Sequence, residues 1–118
     1  MIIRSVEEIL GTARDVSGQG WKSRRLILEK DGIDYSVHET TLEAGQRLQF
    51  RYGSHRETVY CVSGSGTIED VAAGRVVNLE PGVLYSAGIG DDHVVTTSSE
   101  MKLVCIFTPP LLGAEEAD

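Results

Sequence analysis

The side chains best equipped for chemistry are three histidines (His38, His55, His93), two cysteines (Cys61, Cys105), Glu57 and the phenols of Tyr52 and Tyr85. Glu57 shares a strand face with Val59 and Cys61 under period-two alternation. Tyr85 falls on a separate strand, and His93 follows eight residues later, past a turn carrying Gly88 and Gly90. Carboxylate, phenol and imidazole are oxygen and nitrogen donors that suit a borderline divalent metal. Each also has an ordinary reading: an exposed strand carboxylate, a packed ring with a wet hydroxyl, a loop histidine. His55 lies two residues before Glu57, beside the turn that feeds its strand, where it could orient a ligand or shuttle a proton. His38 alternates with Ser36 and Thr40 and reads first as a structural strand residue. Cys61 and Cys105 sit inside apolar runs and read as buried free thiols. Trp21, the only tryptophan, follows Gly18-Gln19-Gly20 and reads as core or barrel-mouth packing.

These residues need a scaffold that points side chains from several strands at one centre. Ser5-Val6-Glu7-Glu8 is a capping-box pattern with Gly11 as a stop, predicting one short N-terminal helix. Beyond Trp21 the pattern is strand-like throughout, with expected strands at 22–28, 35–41, 46–52, 57–62, 66–70, 75–79, 83–86, 93–97 and 101–107. Turn signals such as Asp31-Gly32, Gly64-Ser65-Gly66 and Pro81-Gly82 separate them. Nine short strands at this spacing, with 13 glycines, predict an all-β double sheet or closed barrel. A chain of 118 residues accommodates one such domain, spanning 1–118. The net charge of −7 is spread without a basic stripe, which argues against nucleic acid as a partner. The apolar runs are strand-length and predict no membrane helix. The opening Met1-Ile2-Ile3-Arg4 does not read as a signal peptide, so a cytoplasmic location is the default expectation.

Two glycine frames narrow the fold. Gly45, five residues, Arg51-Tyr52-Gly53, three residues, Glu57, six residues and Gly64 match the spacing of the first cupin motif, with both motif histidines replaced. Gly74, five residues, Glu80-Pro81-Gly82, two residues and Tyr85 match the second, with tyrosine where histidine belongs and the proline one place late. The chain therefore resembles the cupin superfamily, an antiparallel β-barrel in jelly-roll form. That alignment puts Glu57 and Tyr85 at inward metal-ligand positions, with His93 as the candidate nitrogen donor. Such a set leaves coordination positions open for substrate and does not choose among Fe(II), Mn(II) and Zn(II).

A narrower resemblance covers nearly the whole chain. Trp21-Lys22-Ser23-Arg24-Arg25-Leu26, His38-Glu39-Thr40-Thr41, Tyr52-Gly53-Ser54-His55-Arg56-Glu57, Asp91-Asp92-His93 and Cys105-Ile106-Phe107-Thr108-Pro109-Pro110 are similar to the L-ectoine synthase family. The resemblance implies a homodimeric Fe(II) enzyme that condenses N-γ-acetyl-L-2,4-diaminobutyrate, with loss of water, to the cyclic amidine ectoine. It implies metal ligands Glu57, Tyr85 and His93, and substrate contacts from Trp21, Ser23, Arg25, Thr40, Tyr52, Cys105 and Phe107. Tyr52 and His55, with Glu115 in the tail, are the candidates for proton transfer and closure. Cys105 is expected to line the pocket without acting as a nucleophile, since the sequence supplies it no base. The tail departs from the family's Gly-Arg-Glu-Val-His, reading Gly113-Ala114-Glu115-Glu116-Ala117. Two other readings stay open at this point: another metal cupin acting on a related amino-acid derivative, and a non-catalytic cupin that only binds a small solute.

Overall fold

Ser5 begins the only α-helix among the described residues: its Oγ accepts from the Glu8 amide at 3.2 Å, and Val6–Ile9 (α1) follows. The computed structural model describes residues 1–117. Ten strands succeed the helix: Asp15–Gly18 (β1), Trp21–Ile27 (β2), Ser36–Leu42 (β3), Arg47–Phe50 (β4), Arg56–Ser63 (β5), Gly66–Asp70 (β6), Arg75–Leu79 (β7), Leu84–Ala87 (β8), His93–Thr97 (β9) and Met101–Thr108 (β10). Nine coincide with the expected strands to within a few residues. The tenth, β1, carries the polar run Asp15-Val16-Ser17-Gly18 and has no apolar alternation to announce it. It is held instead as the edge half of a hairpin with β2, Gly18 opposite Trp21. No described helix is long and apolar enough to cross a membrane.

The strands form two antiparallel sheets, β1-β2-β3-β10-β5-β8 and β4-β9-β6-β7, the double-sheet cupin architecture that the glycine frames predict. β10 is the central strand of the larger sheet and shows strict alternation: Met101, Leu103, Cys105 and Phe107 are buried, while Lys102, Ile106 and Thr108 are exposed. Its inward residues pack with Leu28, Leu42, Val59, Cys61, Leu79, Val95 and Leu111. Full burial of each large aliphatic side chain contributes roughly 1.5–3 kcal/mol, so this cluster carries the barrel's stability.

Register sets the site. Across the inner face, Arg25 pairs with His38, His38 with Cys105, Cys105 with Val59, and Val59 with Tyr85. One neighbouring row runs Ser36, Phe107, Glu57, Ala87, and the other runs Ser23, Thr40, Leu103, Cys61. Side chains in these rows face the same way because strand parity is two.

Gly64 closes the β5–β6 turn with φ +87°, and a Cβ there would collide with the Glu100 carbonyl oxygen and lie 2.7 Å from Met101 Cα. Gly82 has φ +92° but open space around it. Gly64→Ala should therefore cost about 2–4 kcal/mol in chemical denaturation, combining the left-handed backbone with overpacking. Gly82→Ala should cost only the backbone part, about 1–2 kcal/mol.

Candidate active site

The inner rows open onto a cavity of about 190 Å³, lined by both polar and aromatic residues. Of the residues expected to serve as site groups, Trp21, Ser23, Arg25, Thr40, Tyr52, Glu57, Tyr85, Cys105 and Phe107 all line it. Trp21 reaches its place because Gly18, opposite on β1, has no Cβ; one would meet the indole at about 2.6 Å. Phe107 forms much of the wall. Its ring contacts His38 at 5.0 Å, and Tyr52 meets it edge-on at 4.9 Å.

Glu57 is buried on β5, and His93 enters from the facing sheet as the first residue of β9. His93 Nδ1 donates to the Asp91 carbonyl at 3.0 Å, and Nε2 stands 3.1 Å from Glu57 Oε1. A carbonyl oxygen only accepts, so Nδ1 carries its proton, and in the neutral ring Nε2 would turn a lone pair at the carboxylate. That juxtaposition is relieved by a proton on Nε2 or by a cation bound to both groups. The Tyr85 ring lies 5.4 Å from the His93 ring. The carboxylate, imidazole and phenol thus converge from two sheets and fit a divalent cation. Among the described residues no three His, Cys, Asp or Glu side chains cluster for metal binding, so a tyrosine must complete any set. His93 is outside the lining of the first cavity and borders a second of about 310 Å³ with Asp70, Asp91 and Asp92, while Tyr85 lines both.

Burial dominates the electrostatics. It lifts the Tyr85 and Tyr52 phenols and the Cys105 thiol above their ordinary values, the Glu57 charge adding to each, so all three are neutral at pH 7. Cys105 donates weakly to Thr40 Oγ1 at 3.5 Å and is no thiolate nucleophile. Burial lowers Arg25, yet a guanidinium stays charged.

Two placements differ from expectation. His55 is outside the cavity lining: its Nδ1–H donates to the Pro109 carbonyl at 2.8 Å and its ring stands edge-on to Phe107 at 6.4 Å. It therefore braces the start of the tail and the cavity wall. Glu115 also points away from the lining; its carboxylate accepts from the Leu112 and Gly113 amides at 2.6 Å each. Burial would raise its carboxyl, but those two amides outweigh that and lower it. The tail itself runs across the site. Leu111 is buried and bonded to Ser36 and Glu29, the Gly113 carbonyl accepts from Arg25 Nη1 at 2.6 Å, and Glu116 and Ala117 line the cavity. Glu116, Ala117, Gln49 and His38 are lining residues that the sequence reading did not single out for the pocket.

A double-sheet barrel whose cavity is lined by Glu57 and Tyr85, with His93 3.1 Å from Glu57, has the architecture of a cupin. The ectoine synthase family model matches residues 1–118. An L-ectoine synthase of Desulfosudis oleivorans is 51% identical over 119 residues, covering 100% of this chain and 92% of its own length. One from Nocardia farcinica is 42% identical, covering 100% and 90%. The crystal structure of ectoine synthase from P. lautus superposes with TM-score 0.89 at 38% identity, over 95% of this chain and 80% of that one. KdgF from Halomonas sp., at 17% identity and TM-score 0.68, shares the fold over 78% of this chain and 82% of its own. The chain belongs to the ectoine synthase family.

In metal-free protein the His93 imidazole is raised above 6.5: burial pulls it down, but the Glu57 hydrogen bond, the Asp91 carbonyl and the Glu57 charge outweigh that. The stability this pair contributes is complete below pH 6.5 and is lost as pH rises through the raised value. Glu57→Gln should lower the His93 midpoint in an NMR titration and flatten that pH dependence.

Proposed function

We propose that this protein is a working ectoine synthase, closing N-γ-acetyl-L-2,4-diaminobutyrate to ectoine with loss of water. The observation that carries the reading is one cavity lined by Arg25, at one end of a cross-strand row, and by Tyr85, at the other, with Glu57 in the neighbouring row and His93 3.1 Å from Glu57. A substrate with a carboxylate at one end and an amide at the other matches that polarity.

Arg25 attracts the substrate carboxylate. Trp21 and Phe107 fold the chain so that its amine meets the amide carbon, converting a weak encounter into an intramolecular one. Tyr52, held neutral by burial, keeps a proton to give to the departing oxygen. The tail residues Glu116 and Ala117 border the cavity, where a closing tail would help exclude water from the dehydration. Glu57, Tyr85 and His93 would hold the metal, Fe(II) first and Zn(II) or Mn(II) as alternatives, which supplies Lewis-acid polarisation of a substrate oxygen when bound. We further propose that the protein works in the cytoplasm as a homodimer, as its family resemblance implies. The sensor-or-carrier reading loses ground because the whole chain matches the ectoine synthase family.

Incubating Fe(II)-loaded protein with the acetylated diaminobutyrate should yield the cyclic product. Glu57→Ala should lose bound metal, measured by elemental analysis, and turnover with it; equal metal in both proteins would count against the ligand set. Tyr52→Phe should keep its metal and lose about 10²–10⁴ in kcat, the usual worth of a positioned proton donor. Ala117→His would restore to the cavity wall a group typical of the family tail. It should raise kcat without altering metal content, and unchanged turnover would mean that Tyr52 and the present tail suffice.

A further inference from the structure

His38 lies between Arg25 and Cys105 in the cross-strand row, 2% exposed and stacked on Phe107. Its Nδ1 is 3.3 Å from Ser23 Oγ, and Arg25 Nε is 3.3 Å from the same oxygen. Arginine has donors only, so Ser23 Oγ accepts from it; the Ser23 hydroxyl hydrogen is available to His38 Nδ1, and when it is given there that nitrogen accepts. An imidazole that accepts at Nδ1 carries its hydrogen on Nε2. Burial first, then the Arg25 charge, push the imidazole down to about 3, so it is neutral. Among the described residues Nε2 has no hydrogen-bond partner, although it is fully buried and the ring lines the cavity. An unpaired buried donor costs stability that an apolar residue would not, so the position favours a ligand over packing.

Arg25 leaves a need for such a donor. Its Nε is engaged by Ser23, which closes the Nε edge of the guanidinium to a two-oxygen carboxylate contact, and one Nη1 hydrogen is taken by the Gly113 carbonyl. We propose that His38 is a specificity residue, donating from Nε2–H to the substrate carboxylate beside Arg25. The proposal rests on the functional reading above. In this proposal the Ser23 hydroxyl gives its hydrogen to Nδ1, so the two residues act on one carboxylate by different routes: Arg25 by charge, His38 by an oriented neutral hydrogen bond.

The test compares His38→Leu, His38→Gln and His38→Asn in the Fe(II)-loaded protein. The substrates are the acetylated diaminobutyrate and its decarboxylated analogue N-acetyl-1,3-diaminopropane, the latter read as substrate or as competitive inhibitor. With the carboxylate present, His38→Leu should lower kcat/KM about 10- to 100-fold, mainly through KM, as for a lost hydrogen bond to a charged group. His38→Gln places an amide nitrogen near Nε2 and should stay within about threefold of the parent, whereas His38→Asn places it near Nδ1 and should behave like leucine. With the decarboxylated analogue all four proteins should agree in KM or Ki. His38→Leu should also melt no lower than the parent. Equal penalties with both compounds would make His38 a packing residue and overturn the proposal, as would a leucine variant that matches the parent on the carboxylate substrate. If the leucine variant does not fold, the contrast between glutamine and asparagine decides, and equal kinetics for those two would overturn it. A parent protein inert toward the acetylated diaminobutyrate would instead overturn the functional reading, and this inference with it.

Discussion

A carboxylate that is only 6% exposed has to be neutralised where it sits, and Glu57 is that carboxylate. The requirement reaches across the barrel, because the group that answers it, His93, belongs to the other sheet. Packing between two β-sheets is mostly apolar and tolerant of sliding; a directed polar contact at 3.1 Å is not. The contact ties β5 of one sheet to β9 of the other, with the Tyr85 ring 5.4 Å from the His93 ring beside it.

The site is polarised by the same logic. Arg25 and Ser23 on β2 and His38 on β3 stand at one side and Glu57 on β5 at the other, with Phe107 of β10 between them and Trp21 on the β2 side as hydrophobic wall. Burial then keeps Tyr52, Tyr85 and Cys105 protonated, so the cavity offers neutral donors in place of competing anions. Wherever the apolar cluster approaches the cavity, the same residues serve both, as Phe107 and Cys105 do.

Much of this was legible from period and spacing. Alternation located nine strands, and the glycine frames around Glu57 and Tyr85 aligned two strands that pair in the structure with Val59 opposite Tyr85. β1 escaped because an edge strand of Asp, Val, Ser and Gly buries too little to alternate. His38 escaped as a pocket residue for a subtler reason. Period-two alternation says that it points inward, but whether an inward imidazole is satisfied depends on its neighbours on adjacent strands, and that pairing is a tertiary fact. His55 shows the limit of sequence neighbourhood: it stands two residues before Glu57, yet it lies before β5 begins and its ring meets the Pro109 carbonyl outside the cavity lining.

The strict alternation of β10 has a genetic corollary. Substitutions at Lys102 or Ile106 alter only the outer surface, so those codons can drift. Insertion or deletion of a single codon within residues 103–107 would shift parity past the lesion, turning Cys105 or Phe107 outward and bringing a former surface residue into the cavity. The strand thus behaves toward indels as a reading frame does. Lineages of this family should accumulate point changes on one face of β10 and length changes only in its flanking turns.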